Sequence, residues 1–301
     1  MQQPLPSPDL EDPRLAALPP FPTMDDLPSE DPEEPGLPDD YHDLQPQLLS
    51  RTLRLSGYNP SEFYTASDLN FYYDLQHPLW YKRPDWFLVV GVPRLYPGRE
   101  TGDRDSYVLW QEKVSPIVVI ELLSPGTEVD DLGRFAPKPP KSQPTQAPPS
   151  KFTVYEQILK VPHYLVFNKR DGSLRYFRLV QNRYQEQSVA ATNPRIWIAE
   201  LDIGLALWQG LFEGMPRLWL RWCDADGTVL LTDTEAAVVR EMAALEQQQQ
   251  AEMERQQAEF RLQQTVLGLR QMGMAIAQIV QITGLSEVEV GAIVEQQECD
   301  R

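Results

Sequence analysis

The chain has 301 residues, with 44 Asp and Glu against 27 Lys and Arg, a formal net charge of -17 and 42% hydrophobic residues. That is enough apolar material for at least one sizeable core, while 28 Pro against 16 Gly with no Gly-X-Y period excludes collagen and assigns much of the chain to turns or unfolded segments. No apolar run approaches the ~20 residues of a membrane helix, Cys223 and Cys299 form neither a disulfide framework nor a metal pair, and the first charges are acidic, unlike a secretory leader. The expectation is a soluble, cytoplasmic protein.

Residues 1–40 hold 11 Pro, 11 acidic residues and a single basic one, Arg14, and so carry most of the net charge. So little apolar surface cannot offset the entropy of ordering a backbone, which predicts a disordered, solvating tail. Between 41 and 232 the pattern is that of an α/β domain. Apolar positions 44, 48, 49, 53 and 55 lie near one helical face and predict a first helix over Leu44 to Leu55. Leu69 to Tyr73, Trp86 to Val92, Ser106 to Trp110 and Pro116 to Leu123 then read as strands, the last with an IVVI run suited to burial on both faces.

Phe135 to Ser150 has six prolines in sixteen residues, which forbids helix and interior strand alike. It reads as a loop inserted within the domain, bearing Lys138 and Lys141. KFTVYEQILK then predicts a helix and HYLVFN a buried strand, a strand, helix, strand unit that implies a parallel pair. A hairpin turning at Gln181 and Asn182 follows, and LALWQG, RLWLRWCD and TVLL complete the domain as edge strands. The expected class is a mixed β-sheet flanked by helices, not a barrel.

Residues 233–270 place sparse apolar positions among Glu, Gln, Ala and Arg, as in a long exposed helix that is either a solvated stalk or a weak coiled coil able to pair in a homodimer. Residues 271–301 read as a helix, a turn at Thr283 and Gly284, and a second helix in which Ser286 and Glu289 have capping-box spacing. This resembles a helix-turn-helix. A base-reading second helix needs Arg, Lys, Gln or Asn, and this one offers Glu287, Glu289 and Glu295, which favours packing over DNA reading.

The chemistry concentrates in the middle. Asp85 follows Pro84 where a strand begins, and Glu121 lies near the end of another, where a charge after an apolar run costs desolvation unless it is paired or binds metal. Two acids delivered by adjacent strand ends, with a main-chain carbonyl, suffice as the protein shell of one Mg²⁺, and a metal so held activates water against a phosphodiester. Lys151, opening the following helix, is the candidate to position or deprotonate that water. Ser124 reads as a turn residue, Tyr155 as a core contact beneath the strand of Glu121 and His163 as a packed histidine, and His42 and His77 have no zinc-like spacing.

PDWFLVV, PIVVIELLSPGT, an Asp near 130, KFTVYEQ and VPHYLVFN together resemble the bacterial putative restriction endonuclease family of the PD-(D/E)XK nuclease superfamily, over about residues 41–232. The resemblance implies a restriction-endonuclease-like core in which Asp85 and Glu121 hold Mg²⁺, the Leu122 carbonyl completes the shell and DNA is the substrate. The superfamily lysine normally stands two residues after the acid, where this chain has Leu123. In this branch it lies on the next helix, four residues before a tyrosine, as Lys151 does before Tyr155. Here the proline-rich insertion separates it from Asp130 and Asp131, and Glu62 and Asp68 lie where the wider family places an earlier acid. The alternative is a catalytically inactive scaffold on the same fold that binds partners.

Overall fold

Strand alternation explains the layering. In the computed structural model, which describes residues 39–138 and 147–299, the first unit runs to Thr232. It contains helix α1 (Asp40–Thr52), strands β1 (Phe63–Ala66), β2 (Phe71–Tyr72), β3 (Tyr81–Lys82), β4 (Trp86–Val90) and β5 (Tyr107–Val108), a short helix α2 (Leu109–Glu112) and β6 (Val118–Leu122). Helices α3 (Glu128–Leu132) and α4 (Lys151–Thr153) follow, the latter continuing as a π-turn over Val154–Ile158, before β7 (His163–Asn168), β8 (Ser173–Val180), β9 (Arg183–Gln187), β10 (Arg195–Ile198), β11 (Ile203–Phe212) and β12 (Met215–Cys223).

A six-stranded mixed sheet ordered β1-β4-β6-β7-β8-β9 forms the spine, with β6 and β7 parallel and the other neighbours antiparallel. Because successive side chains point to opposite faces, Trp86, Leu88, Val118 and Ile120 pack under α1 and the separate β10-β11-β12 sheet, whereas Phe87, Val89 and Val119 pack against Phe152, Tyr155 and Tyr164 on the other side. The side chain of α1 residue Gln45 bonds both the N–H and the carbonyl of Leu220, and Trp222 Nε1 donates to the Leu49 carbonyl, so the helix is pinned to β12. A small β3-β2-β5 sheet covers one end.

The mixed sheet with flanking helices is as expected, but three details differ. The strands expected at Leu69–Tyr73 and Ser106–Trp110 shrink to two residues each, the second turning at once into α2. The last strands form their own sheet instead of edges of the main one, with β10 added and TVLL reduced to a bridge between Cys223 and Val229. Helix α1 starts at Asp40, because Asp39 accepts from the Tyr41 and His42 N–H groups as its cap. The hairpin turn is as read: Gln181 and Asn182 both adopt positive φ, the requirement of a two-residue turn that matches strand twist. Residues 1–38, including most of the acidic tail, and residues 139–146 of the insertion, with Lys141, lie outside the described residues.

The second unit, Asp233–Arg301, holds helices α5 (Asp233–Gln271), α6 (Ile276–Thr283) and α7 (Glu287–Cys299). Its small core joins Val266 of α5 to Ile279 and Val290, so the end of the long helix belongs to the terminal hairpin and a division at residue 270 cuts through one core. Gly284, at φ 75°, closes α6, and Ser286 and Glu289 cap α7 reciprocally as expected. Among the described residues no single helix is long and apolar enough to cross a membrane.

Candidate active site

The antiparallel register of β4 and β6 pairs Trp86 with Ile120, and one further step sets Asp85 opposite Glu121. Both belong to the sheet face of Phe87 and Val119, so two acids 36 positions apart in sequence become cross-strand neighbours on one surface. The Asp85 carboxylate accepts from the Leu122 N–H at 2.5 Å, replacing a ladder bond with a side chain where the strands part. A cleft of about 200 Å³ opens there, lined by Asp85, Leu122, Asp130 and Lys151 together with His42, Asp68 and Arg83.

Local chemistry brings Lys151 in. Ser150 caps its helix, the Asp130 carboxylate accepts its backbone N–H at 3.0 Å, and Phe152 packs over Gly133 so closely that a Cβ there would lie 2.8 Å from the ring. Lys151 Nζ then reaches Glu121 Oε2 at 2.7 Å and Asp131 Oδ1 at 3.5 Å. Tyr155, one helical turn on, donates its hydroxyl to Glu121 Oε1 at 2.7 Å. The phenol is therefore part of the cluster and not only the core contact expected of it. The i, i+4 spacing of Lys151 and Tyr155 was the available signal.

Electrostatics follow from burial. Glu121 is fully buried, and desolvation pushes its pKa well up, with the nearby Asp85 and Asp131 adding to the push and Lys151 opposing it. Asp131 is raised to about 6, first by burial, against the pull of Lys151. Burial would lower the Lys151 ammonium, but the surrounding charge of Glu121, Asp131 and Asp85 outweighs it and holds the proton on more firmly than usual. Tyr155 is likewise raised, by burial and by Glu121, so it remains a donor.

Of the two earlier acids, Asp68 lines the cleft and its pKa is raised by burial and by Asp85, whereas Glu62 accepts from Asn59 in a surface turn. Asp130 pairs with Lys82 across the cleft at 3.4 Å. His163 is packed as expected, bonded to Tyr176, and Ser124 forms a turn with Thr127. His42 gave no signal by spacing, yet it is at the site: Nε2 lies 3.1 Å from the Leu122 carbonyl and Nδ1 3.1 Å from Asp39.

Five carboxylates, Asp68, Asp85, Glu121, Asp130 and Asp131, share this neighbourhood with three permanent cations, Lys82, Arg83 and Lys151. The negative excess and the all-oxygen donor set suit a hard divalent cation. Among the described residues no group of three or more His, Cys, Asp or Glu side chains is placed to hold a metal ion. A cation here would be held by one or two carboxylates and waters, as Mg²⁺ commonly is. Each carboxylate oxygen already bonded to Lys151, Tyr155 or the Leu122 N–H retains a further lone pair for such a ligand.

A mixed sheet with two opposed strand-end acids and a buried lysine defines a restriction-endonuclease-like protein of PD-(D/E)XK type. Residues 27–210, more than half of the chain, match the family model described as Uma2, putative restriction endonuclease, and the chain belongs to that family. No curated protein matches the chain.

Proposed function

We propose that this protein is a Mg²⁺-dependent endonuclease that hydrolyses DNA phosphodiester bonds. The observation that carries the reading is that Asp85, bonded to the Leu122 N–H at 2.5 Å, and Lys151, 2.7 Å from Glu121, converge on the end of one strand. Asp85, Glu121 and the Leu122 carbonyl would hold the metal. Bound there, Mg²⁺ polarises a phosphodiester oxygen and lowers the pKa of a coordinated water. Lys151 keeps its proton in the cluster of acids, so its part is to hold Glu121 in place and to offer positive charge to the phosphate, not to remove a proton. Asp130 sets the helix that delivers it, and Tyr155 fixes the second Glu121 oxygen. The test is nicking of supercoiled DNA with Mg²⁺. Asp85→Ala should abolish the metal-stimulated cut, and cleavage that persists in it would overturn the assignment.

One observation favours the scaffold reading. Both Glu121 oxygens and the Leu122 carbonyl already have protein partners, as they would in a site kept for structure alone. Wild-type protein that neither cuts nor binds DNA would establish it.

We place the protein in the cytoplasm, where the family reading puts a DNA substrate within reach, and α5 offers a surface for pairing. Residues 251–257, AEMERQQ, are echoed by 258–264, AEFRLQQ, which sets Met253, Phe260 and Leu267 seven residues apart. On a lone straight helix such a stripe drifts by about 20° per heptad, and two supercoiled helices keep it in continuous contact. Met253 and Phe260 are exposed, and we infer a homodimer seam there.

A further inference from the structure

Away from the acids, the loop joining β2 to β3 holds two leucines outward. Leu75 and Leu79 are 67% and 83% exposed. The rings of His77 and Trp80 stack at 3.8 Å and 8°, with Trp80 packed in part against the core and His77 exposed above it. The tip is internally braced: Asp74 accepts from the Gln76 N–H and bonds the His77 ring at 2.7 Å, and the Trp80 N–H donates to the His77 carbonyl. A flexible loop could turn its leucines inward, but this one holds them out.

The hairpin descends from this tip directly into the cleft. Tyr81 and Lys82 pair with Tyr72 and Phe71, Lys82 reaches Asp130, and Arg83 and Asp85 line the cleft itself. Trp80 is thus five residues from Asp85, no more than about 17 Å along an extended chain, comparable to the ~12 Å width of a duplex groove. A duplex whose phosphate sits at Asp85 would thus lie within reach of the loop tip. Apolar wedges that enter between base steps, and aromatic rings on which bases stack, are the two ways proteins use such side chains on nucleic acid.

We propose that the β2–β3 hairpin tip is a base-contacting wedge that seats duplex DNA in the cleft, with Leu75 and Leu79 entering between bases and the exposed His77 ring, backed by Trp80, anchoring the tip. The proposal rests on the nuclease reading of the cleft, and its test separates the two. The full-length protein is titrated into a duplex carrying 2-aminopurine, with Ca²⁺ in place of Mg²⁺, at several salt concentrations, for wild type, the Leu75→Ser/Leu79→Ser variant and Lys82→Gln. The exposed leucines can be changed without touching the core, so that variant folds. Apolar contacts release no counterions, so it should weaken binding roughly tenfold with the salt slope unchanged and lose the wild-type rise in 2-aminopurine fluorescence. Lys82→Gln should instead make the salt slope shallower. Equal affinity and equal fluorescence in wild type and the leucine variant, with Lys82→Gln still weakened, would overturn the wedge and leave the cleft reading standing. Loss of self-association with DNA binding intact would assign the tip to a protein contact instead. No duplex binding by wild type would overturn both.

Discussion

Lys151 is the residue on which the cluster depends. It is the cation nearest to two fully buried acids, and removing one partner of a buried pair leaves charge without compensation. Lys151→Met should therefore lower unfolding free energy by about 3–5 kcal/mol in urea titration. An unshifted midpoint would mean that the acids are already neutral. Tyr155→Phe removes one hydrogen bond to a charged acceptor and should cost about 1.5–3 kcal/mol in the same assay. The pH dependence has a definite sign. Asp131 titrates at about 6 in the fold, above the ordinary carboxylate value of about 4, and Glu121 is raised as well, so between those values the folded chain binds more protons than the unfolded one. Metal-free stability should thus fall as pH rises from about 4 to about 6, and Asp131→Asn should flatten that fall. A stability that rises through this window in the wild type, and equally in the variant, would contradict it.

Glu121 was legible from the sequence because a glutamate that ends an apolar strand violates its surroundings, whereas Asp85 after Pro84 and Lys151 at a helix start are ordinary alone and stand out through the family resemblance. Asp68 and Glu62 were both candidates for the earlier acid, and the fold brings only Asp68 to the cleft, whereas His42 enters through the docking of α1 and leaves no local pattern in sequence. Tyr155 is the core contact that was expected, and its second role was hidden because packing alone explains a buried aromatic until a carboxylate is found 2.7 Å from its hydroxyl.

At the scale of elements, long periodic runs were legible and short ones were not. β4, β6, β7 and the β8–β9 hairpin fall where apolar runs and turn residues put them, whereas β1, β3 and β10 have four residues or fewer and acquire their identity only by pairing. The α3–α4 junction is the element most sensitive to one atom. Gly133 has φ 50°, and Phe152 occupies the space of its missing Cβ. Gly133→Ala should both strain the backbone and push away the helix that carries Lys151. The expected result is a drop of several degrees in Tm together with lost cleavage. Normal Tm and normal cleavage would show that the junction yields without moving Lys151.

At the scale of the molecule, acidity and a DNA substrate look opposed, since phosphate binding rests on Lys and Arg. The conflict eases because residues 1–40 carry 10 of the 17 net negative charges, so residues 41–301 are far less acidic than the whole. Self-association belongs to this scale too. Phe260→Glu places a charge in the seven-residue stripe of α5 and should convert a dimer to a monomer in sedimentation equilibrium, with unchanged helicity. An unchanged mass would remove α5 from the interface.

We place one divalent cation between the ends of β4 and β6. Calorimetric titration of Mg²⁺ and Mn²⁺ reads this out, with and without a short duplex, on the wild type and on Asp85→Asn, which keeps an oxygen for the Leu122 N–H and so preserves the strand ends. About one site per chain is expected in the wild type and none in the variant. Equal binding by both proteins, or none by either even with duplex present, would contradict it.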